Sequence, residues 1–556
     1  MHLAPLQMFL PHELEVLVVE SQPTMRTQLR TMLTSIGVES AQFAVSATMA
    51  MRRLREQRFD LVLCEYNLGD GQDGQHLLED LHAQGIIPLD TVFVMITGER
   101  NYERVVSACE LTPNDYILKP LNAETLRVRL LRALQKRDAF LPAWQLARLG
   151  DPIGAIDYCR LARNESPQYL TDLMRLQAQL HASIGQVDEA ATLYREILGA
   201  RSIPWAELGL ARMLVIKKQY IDAEDIVRGV LARNERFIAA YELLAQIQEE
   251  TGRPDEACTT LATATEYSPH RIARLRRLGT LSLATGRPEG AEQAMAEVVR
   301  KGKYSEFRDP EDHVRLLQAQ LAQNKVDDAQ ATIVDLDRNM GRQPKGELCK
   351  TVCSALIHAH NNDRARAQQA LAGALRAGGS VRELSVGLRQ DMIRTCFEQQ
   401  FDDHGKELVT DLLRSAADDR TLETTRAVLE ARGLGELSQQ IEAGIQAEVK
   451  SLVTTGAEKA QAGDYDGAVA EMMNAARKLP GNPHVLFNAA LALLRHIENR
   501  GWNDAFAVQA RDLIQRAHRL SPANPRLTAI TEFMHALIKR YGIRPERVMS
   551  RTARSS

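Results

Sequence analysis

Between residues 13 and 136, short apolar runs alternate with segments whose apolar residues recur at helical spacing. VLVV (16–19) is a run suited to a strand buried on both faces. Within Thr24–Ile36, residues Met25, Leu29, Met32, Leu33 and Ile36 fall at helical spacing, and the pattern stops before Gly37. FAV (43–45), a helical stretch at 47–57 and LVLCE (61–65) repeat the alternation. TVFVMIT (91–97) and DYILKP (115–120) supply two more strands, with helices expected at 74–84, 101–110 and 122–135. Five strands interleaved with helices predict an α/β unit with a parallel sheet covered on both sides. Ligands of such sheets sit beyond the carboxyl ends of the strands. Glu20, Glu65, Thr97 and Lys119 all stand at strand ends, so one pocket can collect them.

After about residue 140 the strand signals stop and the chain reads as helix after helix. Ala155, Ala190, Ala223, Ala257, Ala291, Ala329 and Ala367 are separated by 35, 33, 34, 34, 38 and 38 residues. A stricter frame, alanine then alanine seven residues on and proline five further, fits Ala155-Ala162-Pro167, Ala257-Ala264-Pro269, Ala468-Ala475-Pro480 and Ala510-Ala517-Pro522. Gly150, Gly185, Gly252, Gly286 and Gly463 each stand five residues before the first alanine. Small residues let antiparallel helices approach, glycine ends the first helix of a pair, and proline stops the second. The frame is clear over 143–300 and 452–525 and stretches between 300 and 377. It breaks at Gly378-Gly379 and is unreadable over 381–450; an insertion at IENRGWND (497–504) lengthens the last repeat to 42 residues.

Composition narrows the function. With 44% hydrophobic residues, 25% charged residues and a net charge of −3, the chain is ordinary for a globular protein and has no bulk attraction to nucleic acid. A local exception is the tail, where Lys539, Arg540, Arg544, Arg547, Arg551 and Arg554 face one acid, Glu546. A solvated, disordered basic tail over 541–556 is the expectation. No apolar run nears the ~20 residues of a membrane helix, and the start MHLAPLQMFLPHELE lacks the pattern of a signal peptide. Seven scattered cysteines suit free thiols in a reducing cytoplasm. Cys349, Cys353 and His360 lie near one helical face, but the last two are about 10 Å apart along a helix. Zinc bonds of about 2.0–2.3 Å do not span that gap, so helix-packing cysteines are expected. No helix-turn-helix or RNA-reading motif, Gly-rich phosphate loop, HExxH or GxSxG is present. Neither nucleic-acid binding nor enzymatic activity is expected.

Glu20-Ser21 after the first strand, FDLVLCEYNL (59–68), DGQDG (70–74), Thr97 and DYILKP occur in the order and at the separations of a receiver domain. Residues 13–136 thus resemble the receiver of two-component response regulators, a flavodoxin-like five-stranded parallel sheet. The resemblance implies that two acids after the first strand and an aspartate after the third hold magnesium, and that this aspartate accepts the phosphoryl group. Here Glu20 takes the first acid, Ser21 stands where the second belongs, and Glu65 replaces the aspartate. Thr97 takes the hydroxyl position, Lys119 the lysine position before Pro120, and Tyr116 that of the switch aromatic. Asn67 aligns with the residue whose carbonyl binds metal, so Glu20, Glu65 and Asn67 are the candidates for a weakly held magnesium ion. The frame over 143–377 and 451–540, with 381–450 between, resembles tetratricopeptide repeats, helix pairs stacked into a superhelix with a concave binding face.

Glu65 carries its carboxylate about 1.5 Å further than aspartate would, and phosphoryl transfer tolerates little displacement. Loss of an acid at Ser21 weakens magnesium binding further. The expectation is an atypical response regulator in the cytoplasm, not phosphorylated at position 65. Its repeats would hold a protein partner, and its receiver would meet a sensor kinase or chemotaxis-type signalling protein. The alternative is a phosphorylation-dependent regulator in a phosphorelay with the same repeat output. Whether a Glu65–Lys119 contact imitates the activated state or is a residual ion pair is open at this level.

Overall fold

The structure, a computed structural model, describes residues 11–68, 74–83, 85–88, 90–98, 114–269, 271–302, 308–376, 378–415, 419–430 and 432–544. The helix expected at 101–110, most of the DGQDG segment and the tail beyond Arg544 lie outside these residues. Strands β1 (Glu15–Val19), β2 (Ser40–Ala44), β3 (Leu61–Glu65), β4 (Val92–Thr97) and β5 (Asp115–Leu118) form one sheet. All pairs are parallel and the order is β2-β1-β3-β4-β5.

Alternate residues of each strand feed two cores, as the two-residue period of a strand requires. Leu17, Val19, Val62, Cys64, Phe93 and Met95 pack under α2 (Ala47–Glu56) and α3 (Gly74–Ala83). Val16, Val18, Leu61, Leu63, Val94 and Ile96 pack under α1 (Pro23–Ser35) and Leu126, Leu130 and Leu134 of the helix that follows β5. The register pairs Val19 with Cys64, Glu65 with Ile96 and Thr97 with Leu118, so the carboxyl ends of β1, β3, β4 and β5 share one edge.

The helix after β5 does not stop near residue 136. It starts at an Asn122 cap and runs unbroken from Ala123 to Leu149, so no connection separates the sheet domain from the repeats. Pro142 lies inside it. Proline removes a backbone donor and costs a helix interior about 3 kcal/mol, but Ala139, Phe140 and Ala143 are buried against the first repeat, and that packing carries the helix through. Around this junction helix, Arg137 is 3% exposed and pairs with Asp138 at 2.9 Å and Asp60 at 3.5 Å. Burial raises the Asp138 carboxyl above its ordinary pKa, against the Arg137 charge. Lys136 reaches Asp172 of the next helix pair at 2.8 Å.

Over the described residues, the remaining chain is a series of helix hairpins. Each first helix ends in a left-handed residue, which glycine adopts without steric cost. Gly150, Gly185, Gly252, Gly286 and Gly463 do so at φ between 68° and 84°, and Lys218, Asn324, Asn362 and Gln400 adopt the same turn at 54–59°. A 6→1 hydrogen bond closes the turn, as from Gln186 N to His181 O (3.0 Å) and Phe401 N to Cys396 O (2.8 Å). This extends the frame through 381–450: Gly405 follows Gln400, and fully buried Ser438 follows Gly433, both in the alanine position. The helix Gly435–Gln461 also runs across the expected boundary at 450, so the segment is part of the array. Gly378–Glu383 forms a short 3-10 turn where the glycine pair predicts a break. Cys349 and Cys353 are buried in the helix Pro344–His360, as expected of packing thiols.

Ion pairs one repeat apart stitch neighbouring hairpins together, including Lys217–Asp188 (2.7 Å), Arg253–Glu224 (2.5 Å), Arg276–Asp312 (2.6 Å) and Lys325–Glu292 (2.6 Å). First helices of several successive pairs touch one another directly, so they line the inner side of the curve. The array also closes on itself. The last helix, Arg526–Arg540, packs on Pro152–Glu165 of the first pair. Across this seam His535 Nδ1 lies 2.6 Å from Asp151 Oδ1, and Thr528 Oγ1 donates to the Ile184 carbonyl at 2.9 Å. His518 Nε2 lies 3.1 Å from the Ala182 carbonyl, and Arg511 donates to the Arg148 carbonyl.

Candidate functional site

The shared edge of the sheet gathers the expected side chains. Glu20 follows β1 and is 1% exposed. Its N–H donates to the Ala44 carbonyl of β2 at 3.0 Å, and its Oε1 accepts from the Gln22 N–H at 2.9 Å. Glu65 ends β3, is 7% exposed, and its Oε1 accepts from the Asn67 N–H at 3.1 Å. Thr97 ends β4, and its carbonyl accepts from the Lys119 N–H at 2.7 Å. The Lys119–Pro120 bond is cis.

The Lys119 ammonium bridges both acids: it donates to Glu20 Oε2 at 3.1 Å and contacts Glu65 Oε2 directly. Burial pushes the Glu65 carboxyl above its ordinary pKa, and the Lys119 hydrogen bond and the Asn67 N–H only partly offset this. Burial alone would lower Lys119, but the bond and charge of Glu65, with those of Glu20, raise it. Ser21, at the position of the second acid, is half-buried. Arg26, which the sequence reading did not single out, donates to the carbonyls of Glu20 (2.8 Å) and Ser21 (2.7 Å) and fixes this turn. Its signal was positional only, a basic residue one helical turn into α1.

Other expected residues take definite places. Tyr116 is half-buried and packs on the core formed by Tyr66, Leu68 and Met95. Asn67 is exposed, and its N–H donates to Glu65. Gly74 is needed for a close approach: a Cβ there would lie 2.4 Å from the Glu65 carbonyl oxygen.

The donor set fits a magnesium ion poorly. Magnesium asks for oxygen ligands in near-ideal octahedral geometry, yet both carboxylates already face the Lys119 ammonium. Among the described residues, no group of three or more His, Cys, Asp or Glu side chains stands together as a ligand set. Nor is any helix among them long and apolar enough to cross a membrane.

Residues 16–131 match the family model described as the response regulator receiver domain. The chemotaxis protein CheY-3 of Vibrio cholerae is 28% identical over 131 residues, covering 24% of this chain and 99% of that protein. The solved receiver domain of NtrX from Brucella abortus is 30% identical, covers 22% of this chain and 98% of that one, and gives a TM-score of 0.20. The carboxy-terminal part of a TPR repeat-containing protein from Cytophaga hutchinsonii is 12% identical over 44% of this chain and 99% of that one, with a TM-score of 0.35. The repeat character of the array stands on its own hairpins and turns. The amino-terminal unit of this chain is a response regulator receiver domain, followed by tetratricopeptide-like helical repeats.

Proposed function

We propose that this chain is a cytoplasmic signal-transduction adaptor, without enzymatic activity, whose receiver is not phosphorylated at position 65 and whose repeats hold a protein partner. The observation that supports it most is the Lys119 ammonium seated between Glu20 and Glu65. A metal ion would have to compete with that ammonium for both carboxylates, and the longer Glu65 side chain misplaces the attacking oxygen. Magnesium is then bound weakly or not at all, with Glu20, Glu65 and the Asn67 carbonyl as the only ligands proposed for it. The receiver acts as a docking module for a sensor kinase or a chemotaxis-type protein. The continuous junction helix carries its position into the array.

The test is incubation of the full chain with acetyl phosphate and magnesium, followed by intact-mass analysis. No added phosphoryl mass is expected. Stoichiometric acid-labile phosphate on Glu65 would refute the proposal and favour a working phosphorelay regulator. In Glu65→Asp/Ser21→Asp, magnesium binding and phosphoryl transfer should reappear.

A further inference from the structure

Where the array closes, its two ends do not meet flush. The helices Ala123–Leu149, Pro152–Glu165 and Leu170–Ser183 form one bank of the seam, and Asp504–Leu520 and Arg526–Arg540 form the other. Between the banks lies a cavity of about 350 Å³, a size suited to a small molecule. Its apolar wall comes from both sides: Ala147, Leu180 and Ile184 from the first pairs, Ile514 and Met534 from the last.

The charge that faces this cavity is of one sign. Arg511, His518 and Arg519 line it from a single helix, and among the described residues no Asp or Glu lines it with them. Neither arginine makes an ion pair among the described residues. Arg511 is half-buried and held in place: it donates to the Arg148 carbonyl across the seam, and its stem presses on Gly150, where a Cβ would lie 3.2 Å from Cδ. Burial lowers the Arg511 pKa, exposed Asp512 offsets part of this, and the Arg148 charge adds to it. Asp151, next to Gly150 in the chain, is taken up by His535 Nδ1 at 2.6 Å and the Gly154 N–H at 2.8 Å. His518 Nε2 lies 3.1 Å from the Ala182 carbonyl, a bond only its N–H form can make. Burial lowers the His518 pKa beyond what that bond restores, and the Arg519 charge lowers it further, so the ring is a neutral wall.

We propose that this seam cavity binds a small organic carboxylate with an apolar body, and that the bound anion holds the ring shut. Arg511 takes the carboxylate, since a guanidinium fork donates to both oxygens and such charge-assisted bonds are stronger where water is partly excluded. Exposed Arg519 adds positive charge at the mouth. The apolar body lies on Leu180, Ile184, Ile514 and Met534, a wall that an inorganic anion would leave wet. A cation would meet two arginines. Because the ligand touches both banks, it loses half of its site when the seam opens, so binding stabilises closure by mass action. This makes the seam a small-molecule input separate from the receiver pocket.

The test is saturation-transfer NMR on the full chain with 4-phenylbutyrate as the probe, 4-phenylbutyramide as its uncharged counterpart and inorganic phosphate as a competitor. The carboxylate should bind in a dose-dependent manner, the amide should bind roughly tenfold more weakly, and phosphate at equal concentration should displace nothing. Arg511→Gln should also weaken binding roughly tenfold. That variant loses a seam bond as well, so Ser183→Tyr provides the second arm: it narrows the cavity from an exposed position, leaves the seam bonds in place, and should abolish binding. At about ten times the Kd of the probe, amides of Arg526–Arg540 that open with the seam should exchange roughly tenfold more slowly in wild type and unchanged in Ser183→Tyr. Absence of 4-phenylbutyrate binding, equal binding of the amide, displacement by phosphate, or full binding by Ser183→Tyr would each overturn the site. Binding without slower exchange would overturn its hold on the ring.

Discussion

Lys119→Met removes the cation that bridges two buried acids, Glu20 and Glu65, and its effect can be worked out from the pocket. Glu20 and Glu65 are 1% and 7% exposed, while the Lys119 side chain is 20% exposed. Deleting one partner of a buried ion pair costs about 3–5 kcal/mol, because the remaining charge loses its compensation. Partial solvent access to Lys119 places the loss near the lower end, about 3 kcal/mol, a large share of a typical domain's stability. Amides of β3 that exchange by global opening of the receiver should then exchange roughly 150-fold faster at neutral pH. The penalty should shrink in acid. Glu65 already titrates above its ordinary 4.5 in the folded protein because it is buried, and losing Lys119 drives it higher. The folded state then holds more protons than the unfolded one, so stability is fully present below about 4.5 and falls as pH rises through the folded value. Native-state hydrogen exchange on the full chain at about pH 5 and about pH 7.5, corrected for intrinsic rates, reads both numbers. Adding Glu65→Gln should return about half of the loss. An unchanged β3 exchange rate, or an equal penalty at both pH values, would refute the account of Lys119 as the counter-charge of the pocket.

Other outcomes follow from single contacts. Gly74→Ala should destabilise the receiver by about 2 kcal/mol in urea unfolding, since the new Cβ meets a backbone carbonyl that cannot swing away. Lys218→Gly should stabilise the array by about 0.5–1 kcal/mol, because Lys218 is exposed and held at φ 59°. His535→Ala with Thr528→Val removes two side-chain bonds across the seam, and small-angle scattering should report a larger radius of gyration. An unchanged profile would mean that apolar packing and the remaining His518 and Arg511 contacts hold the ring shut.

Much of the fold was legible because local pattern and tertiary structure agree. VLVV, LVLCE and TVFVMIT are apolar runs that only a doubly covered sheet buries, and they set β1, β3 and β4. The pocket residues were legible for the same reason, since each follows a strand whose end the register fixes. The bridging role of Lys119 between Glu20 and Glu65 was only half visible, because reach across a pocket depends on side-chain rotamers that no spacing encodes. Pro142 hid the junction: proline usually ends a helix, and only burial of Phe140 and Ala143 reverses that preference. The repeat vanished at 381–450 because the turn there is made by Gln400 and the small positions by Gly405 and Ser438, residues outside an alanine frame. Closure was illegible altogether, since it joins residues 336–384 apart through contacts with no periodic signature.

That closure has a consequence for how the protein is made. An open repeat array assembles from neighbour to neighbour, so each hairpin can settle as soon as it leaves the ribosome. Here the surface that receives the last helix lies on Asp151, Ile184 and the helix between Pro152 and Glu165. During synthesis this landing surface emerges several hundred residues before its occupant, Thr528 to His535. The nascent chain therefore carries an uncovered docking edge for most of its translation. Chains truncated before Arg526 would keep that edge permanently, and a second molecule's last helix would be its natural occupant.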